Sequence, residues 1–193
     1  MPHYFDPTPA APDTRREVAV CFGERVFHCV TAGGVFARDG LDEGTRVFCQ
    51  ALPPLAGRVL ELGAGWGAMA VCLLGQSIDY TGIEVNERAA DLARENLARN
   101  NLVGAVITAD ATTFVADQPY DWVVTNPPIR AGNAVVHALF TTAHRALGPG
   151  GRFAFVVRKQ QGAESLTKLA KNLFGNAERI AREGGYWVVV CNK

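Results

Sequence analysis

No apolar run in this 193-residue chain approaches the roughly 18 residues that a helical membrane span requires. The opening MPHYFDPTPAAPD has neither the basic nor the apolar region of a secretory signal, so a cytoplasmic location is expected. Cysteine is sparse and scattered. Cys21, Cys29, Cys49, Cys72 and Cys191 are odd in number and form no C-x-x-C pair, which argues against a disulfide framework and a zinc site and leaves buried reduced thiols. Histidine is equally uninformative: His137 and His144 stand seven apart, not at the i, i+4 spacing that grips one metal on a helix, and no metal is expected. Internal repeats, low-complexity tracts and a dividing linker are missing as well. Net charge is zero, yet unevenly spread: residues 1–125 hold nine Lys and Arg against 16 Asp and Glu, residues 126–193 ten against three. Such asymmetry between halves is a hint of nucleic-acid contact that solvated helix faces also explain.

What is present reads as one α/β domain. The first 14 residues, rich in Pro and Ala, predict an extended arm, and residues 15–193 a single domain, divided into an N-terminal part (15–54) and a core (55–193). EVAVCF and RVFHCVT around Gly23-Glu24 predict a β-hairpin. Thr45 is the expected cap of a short helix RVFCQAL, which Pro53-Pro54 stops. From RVLEL onward strand, loop and helix alternate. WGAMAVCLL is a helix after a glycine turn, DYTGIEV a strand, and Asn86 can cap a helix in which Ala89, Leu92, Ala93 and Leu97 share one face. GAVIT and DWVVT are strands. AVVHALFTTAHRAL is a helix ended by Gly148, Pro149, Gly150 and Gly151 before strand RFAFVV, and AESLTKLAKNLF is the last helix. AERIAR and YWVVV close the chain as a hairpin. This order predicts a mostly parallel sheet covered on both faces, with an antiparallel C-terminal pair.

Three segments carry chemistry. Glu61-Leu62-Gly63-Ala64-Gly65-Trp66-Gly67 lies where a strand turns into a helix, and glycines there let the backbone turn sharply and approach a nucleotide-like cofactor. On this motif alone a methyltransferase, a dinucleotide enzyme and a plain turn all remain open, since Gly63, Gly65 and Ala68 also satisfy G-x-G-x-x-G/A. Glu84, 21 residues after Gly63 at a strand end, can accept from both ribose hydroxyls, and Asp110 is placed to meet an adenine amine; neither chooses between the cofactors. Asn126-Pro127-Pro128-Ile129 does choose. Two prolines fix two φ angles at a strand end, presenting the Asn126 side-chain carbonyl and a neighbouring main-chain carbonyl as acceptors for an exocyclic amine.

In this order ELGAGWG, IEVN, Asp110 and NPPI resemble class I methyltransferases of the methyltransferase small domain family, which includes bacterial 16S ribosomal RNA guanine-N2 methyltransferases. The resemblance extends to GVFARDGLDEGT, RKQQGAES and GGYWVV and covers nearly the whole chain. It implies a Rossmann-like fold with a seven-stranded sheet and an N-terminal β-hairpin extension. S-adenosyl-L-methionine is the implied cofactor, leaving as S-adenosyl-L-homocysteine. GVFARDGLDEGT (34–45) is the segment implied to close over it, and its implied contacts are Phe36 and Thr45 of that segment, Glu61, Gly63, Ala64, Gly65, Gly67, Glu84, Val85, Asp110, Ala111 and Asn126. Asn126, Pro127 and Pro128 are the implied catalytic segment. Ile129, Arg130, Arg158 and Lys159 are the implied contacts to ribosomal RNA or the small ribosomal subunit. Ile129 stands where relatives acting on DNA adenine or protein glutamine carry an aromatic ring, which favours the guanine branch. The family usually has Asp where Glu61 and Glu84 stand, and its larger members carry an additional methyltransferase-like domain before the catalytic one. Against this stand N-methylation of adenine, protein glutamine or a small molecule, an NAD-type oxidoreductase, and a non-catalytic RNA-binding module.

Overall fold

A computed structural model describes residues 7–8, 11–74 and 78–193. The arm read at residues 1–14 lies largely outside these, at positions 1–6, 9 and 10. Strands β1 (Arg16–Phe22) and β2 (Arg25–Thr31) form the antiparallel hairpin, in register from Arg16 opposite Thr31 to Phe22 opposite Arg25. Strands β3 (Gly57–Leu62), β4 (Ile78–Glu84), β5 (Ala105–Thr108), β6 (Tyr120–Thr125) and β7 (Leu147–Arg158) run parallel. The last two, β8 (Glu178–Glu183) and β9 (Tyr186–Asn192), are antiparallel, and β9 inserts between β7 and β8 to give the order β5-β4-β3-β6-β7-β9-β8.

Residues 59–62 of β3 are all buried, as a parallel strand covered on both faces requires. β8, at the sheet edge, is mostly exposed and carries Glu178, Arg179, Arg182 and Glu183, charges that discourage pairing with another chain. One face is covered by α1 (Glu43–Ala51), α2 (Ala68–Leu73) and α3 (Glu87–Arg99) with the hairpin, around Phe48, Trp66 and Leu92. The other is covered by α4 (Asn133–Ala146) and α5 (Ala163–Phe174), where Phe153 meets Phe140 edge to face and stacks on Phe174, with ring centroids 4.8 and 5.4 Å apart.

Two readings need correction. Thr45 does not cap α1: Asp42 does, its carboxylate accepting the N–H groups of Gly44 and Thr45, so the helix starts a turn earlier than the apolar run RVFCQAL. An ionised carboxylate accepts these orphan donors better than a hydroxyl three residues too late. Likewise β7 begins at Leu147, not Arg152. Leu147 pairs with Tyr120 before a bulge, so the Gly-Pro-Gly-Gly segment lies within an irregular strand instead of a loop.

The hairpin is docked by asparagines that its own sequence does not announce. On α3, Asn96 accepts the Val30 N–H at 2.6 Å and donates to the carbonyls of Val30 and Trp66, both at 2.9 Å. One helical turn on, Asn100 does the same for His28, accepting its N–H and donating to its carbonyl, both at 3.0 Å. Four helical residues rise about 6 Å and two strand residues about 6.6 Å, so the spacings match and the two side chains act as a partner strand for β2.

Candidate active site

On either side of the β3–β6 pair, chain connections run in opposite directions, which opens a crevice at the carboxyl ends of these strands. A cavity of about 670 Å³ occupies it. The glycine turn forms its floor. Gly63, Gly65 and Gly67 have φ of 82°, 56° and 87°, a left-handed region open to glycine. A Cβ on Gly63 or Gly65 would meet no protein atom within 4 Å, whereas at Gly67 it would press on the Ala93 backbone of α3 at 3.3 Å. Gly67 thus serves helix packing, and Gly63 and Gly65 leave backbone bare to the cavity.

Glu84 ends β4 and is buried beside this turn. Its Oε2 accepts the Gly65 N–H at 2.7 Å and its Oε1 the Asn86 N–H at 2.9 Å. Burial raises its pKa, and backbone N–H groups of Asn86, Gly65 and Val85 oppose the rise. A carboxylate has about four acceptor sites, so these backbone groups do not exhaust it and acceptor capacity is left for a ligand. Asp110 also lines the cavity; its Oδ1 accepts both the backbone N–H and the hydroxyl of Thr112, at 2.8 and 2.7 Å, which shapes the loop after β5.

At the other end of the cavity, Thr125 closes β6 by donating its hydroxyl to the Leu62 carbonyl at 2.7 Å. This buried bond ties the start of Asn126-Pro127-Pro128 directly to the residue before Gly63. The Pro127 carbonyl accepts the Ile129 N–H at 2.8 Å and keeps a second lone pair, and Ile129–Ala131 form a 3₁₀ turn. Residues 32–42 border the cavity through Val35, Phe36, Ala37 and Asp42. They are pinned by Arg88 donating to Gly33 (2.5 Å), Asn86 to Gly34 (3.0 Å) and Trp66 to Ala37 (3.3 Å). The Trp66 ring, 1% exposed, is packed into the core, so its bulk in the turn does not obstruct the cavity.

The cavity therefore gathers Phe36, Gly63, Gly65, Glu84, Val85, Asp110, Ala111, Asn126, Pro127, Pro128, Ile129, Arg130 and Arg158 from the sequence reading. Five residues from that reading lie off its lining: Thr45, Glu61, Ala64, Gly67 and Lys159. Glu61 is 2% exposed and accepts the Tyr80 hydroxyl at 2.5 Å beneath Gly82, where a Cβ would collide with that hydroxyl at 2.6 Å. Thr45 reaches the site indirectly, through Asn126. Lys159 sits one residue past Arg158 in a second 3₁₀ turn, its N–H donating to Gly185. Asp42, Gln161 and Tyr186 line the cavity without having been singled out by motif. GGYWVV carried the resemblance and part of a hairpin but gave Tyr186 no role of its own; its ring packs against Gly44, with the Arg158 guanidinium 5.8 Å from its centroid. Among the described residues no cluster of three or more His, Cys, Asp or Glu could hold a metal, and no helix is long and apolar enough to cross a membrane.

Comparison with known proteins gives this architecture a place. The chain is 29% identical over 197 residues to the uncharacterized protein YbxB of Bacillus subtilis, covering 99% of this chain and 98% of that one. It is 33% identical to ribosomal RNA large subunit methyltransferase G of Streptomyces avermitilis (81% of this chain, 43% of that one). It is 31% identical to ribosomal RNA small subunit methyltransferase C of Enterobacter sp. strain 638 (82% and 47%). The chain thus spans about half the length of these two methyltransferases. A T. thermophilus 16S rRNA N2 G1207 methyltransferase, solved with AdoMet and guanosine, shares the fold with a TM-score of 0.84 at 24% identity, over 94% of this chain and 51% of that one. A family model for the methyltransferase small domain matches residues 27–190, from the second hairpin strand to the last strand of the sheet. The chain belongs to the methyltransferase small domain family.

Proposed function

We propose that this protein is an S-adenosylmethionine-dependent methyltransferase acting on an exocyclic amine, and that its target is guanine N2 in small-subunit ribosomal RNA. The observation that carries the reading is a single cavity with Glu84 and the bare Gly63 and Gly65 backbone at one end and Asn126-Pro127-Pro128 at the other, the two ends joined by the Thr125–Leu62 bond.

The residues present fit such a cofactor. Glu84 retains acceptor capacity for ribose hydroxyls after serving the backbone N–H groups of Asn86, Gly65 and Val85. Gly63 and Gly65 let a ligand lie against main chain, and the cavity volume falls in the range of roughly 300–1,000 Å³ common to small-molecule sites. When bound, the cofactor supplies an electrophilic methyl group on a sulfonium. Asn126 and the Pro127 carbonyl then hold the two hydrogens of the target amine and turn its lone pair out of the plane of the base. Positioning of this kind supplies most of what an in-line displacement needs, and the proton leaves after transfer without a dedicated base.

Arg130 and Arg158 line the cavity and are exposed, and exposed Lys159 follows, so cations flank the amine end where an RNA backbone would pass. The ribosomal RNA methyltransferases among the relatives support RNA as the substrate class, and Ile129 in the wall supports guanine over targets that need an aromatic stacking partner. The test is transfer of labelled methyl from S-adenosylmethionine to unmodified small and large ribosomal subunits, with the product nucleotide mapped. N2-methylguanine in the small-subunit RNA is the expected product; label only in large-subunit RNA, protein or free nucleotide refutes the assignment.

A further inference from the structure

An asparagine side chain has a donor end and an acceptor end of nearly the same size, and only its partners decide which one faces a ligand. The proposed chemistry uses the acceptor end of Asn126. We infer that Asp42 and Thr45 are positioning residues that set this choice, an inference that rests on the reading of Asn126 as the acceptor for the target amine.

The geometry forms a relay with one polarity. Asn126 Nδ2 lies 3.0 Å from Thr45 Oγ1 and 3.4 Å from Asp42 Oδ2. The Thr45 hydroxyl donates its single hydrogen to Asp42 Oδ2 in a short contact, so its oxygen is left to accept from Asn126. An ionised carboxylate only accepts, which fixes the direction of every bond in the chain: Asn126 N–H to Thr45, Thr45 O–H to Asp42. Turned over, the amide would set its carbonyl against a carboxylate and a hydroxyl whose hydrogen is already committed. The relay therefore holds the NH2 group inward and turns Oδ1 away from Asp42 and Thr45. Donation into a chain that ends on an anion also draws electron density onto that carbonyl and makes it a better acceptor.

Asp42 lines the cavity but has little left to offer a ligand. Its Oδ1 accepts the Gly44 N–H at 3.0 Å, and its Oδ2 takes the Thr45 N–H at 3.3 Å, the Thr45 hydroxyl and Asn126. Thr45 is 4% exposed, is off the cavity lining, and meets the site through Asn126 and Asp42. Because Asp42 is also the N-cap of α1, the start of that helix and the orientation of Asn126 are set by one carboxylate, which also ends the stretch 32–42 that borders the cavity.

The test uses three substitutions in the full chain. Asp42→Asn keeps an N-cap of equal quality but places an amide where the carboxylate accepted. Thr45→Val keeps the shape and removes the relay hydroxyl, and Thr45→Ser restores it. Expected for Asp42→Asn and Thr45→Val is a kcat about tenfold or more below wild type on unmodified small subunits, the worth of a hydrogen bond to a charged group, with KM and cofactor Kd within about twofold. The melting temperature should be unchanged, and Thr45→Ser should recover turnover. Independently of activity, the Asn126 side-chain NH2 resonances, assigned by their loss in Asn126→Ala, should shift and lose protection from exchange in Thr45→Val. Unshifted resonances overturn the relay. A kcat near wild type in both variants, while Asn126→Ala is impaired, overturns its catalytic role and leaves the Asn126 reading standing. Full turnover by Asn126→Ala removes that reading instead, and the resonances still decide whether the relay exists.

Discussion

Replacing Glu61 with Gln should abolish a pH dependence of stability that runs opposite to the one carboxylates usually confer. Glu61 is buried behind the glycine turn, and loss of solvation pushes its pKa from 4.5 to about 8; the Tyr80 hydroxyl opposes the rise and the nearby Glu84 adds to it. Between these two values the folded protein holds a proton that the unfolded chain has released. With more protons on the folded state, stability falls as pH rises. The contribution is complete below pH 4.5, declines by about 1.4 kcal/mol per pH unit, and is lost as pH passes about 8, a total on the order of 4–5 kcal/mol. Gln is neutral throughout and nearly isosteric with the protonated acid. Urea unfolding from pH 5 to 8.5, read as midpoint at constant m, should show the two proteins close together at pH 5 and Glu61→Gln increasingly the more stable above it. Glu84, whose pKa is also raised, remains in both proteins, so the difference reports Glu61 together with its repulsion by Glu84. Parallel curves across this range would show that Glu61 is ionised in the folded protein and that the burial argument is wrong.

S-adenosylmethionine or its demethylated product should raise the melting temperature and NAD should not, since ligand at a hundredfold excess over Kd adds about 2.7 kcal/mol. Glu84→Ala should weaken that response without unfolding the chain, and in the wild type the cofactor Kd should rise on acidification as Glu84 takes up a proton; a Kd unaffected by the substitution excludes a ribose contact. Asn126→Ala, which keeps both prolines, should lower kcat roughly 10²- to 10³-fold, as loss of one oriented polar contact typically does, with cofactor binding nearly unchanged by calorimetry. Asn96→Ala should cost roughly 3 kcal/mol or more in urea unfolding, because it strands a buried N–H and two carbonyls of Val30 and Trp66; a loss under about 1 kcal/mol would mean that these groups find other partners.

Elements whose evidence is local are legible in the chain. The hairpin, α3 behind its Asn86 cap, and α5 from Ala163 to Phe174 follow from alternation, helical period and end signals within each segment. The positions of Glu84 and Asn126 are legible for a related reason: both stand at strand ends, and a parallel α/β sheet brings its strand ends to one edge whatever its order. The glycine motif alone left a dinucleotide enzyme open, and it took Asn126-Pro127-Pro128 and the family match to close that choice.

What the tertiary structure decided is where residues distant in sequence meet. β9 inserts between β7 and β8, and this delivers Tyr186 to a cavity whose glycine turn at Gly63 lies more than 120 positions earlier. Glu61 belongs to the glycine motif, yet the alternation of β3 turns it into the sheet, where Tyr80 meets it; side chains one residue apart face opposite ways. Asp42 caps α1 and reaches Asn126 across 84 positions, and Asn96 and Asn100 serve a strand about 70 residues before them. Local pattern records a residue's own element and the face it lies on. It does not record which distant partner completes a hydrogen bond, because that depends on how whole elements pack, and those contacts bury the polar groups that orient the site.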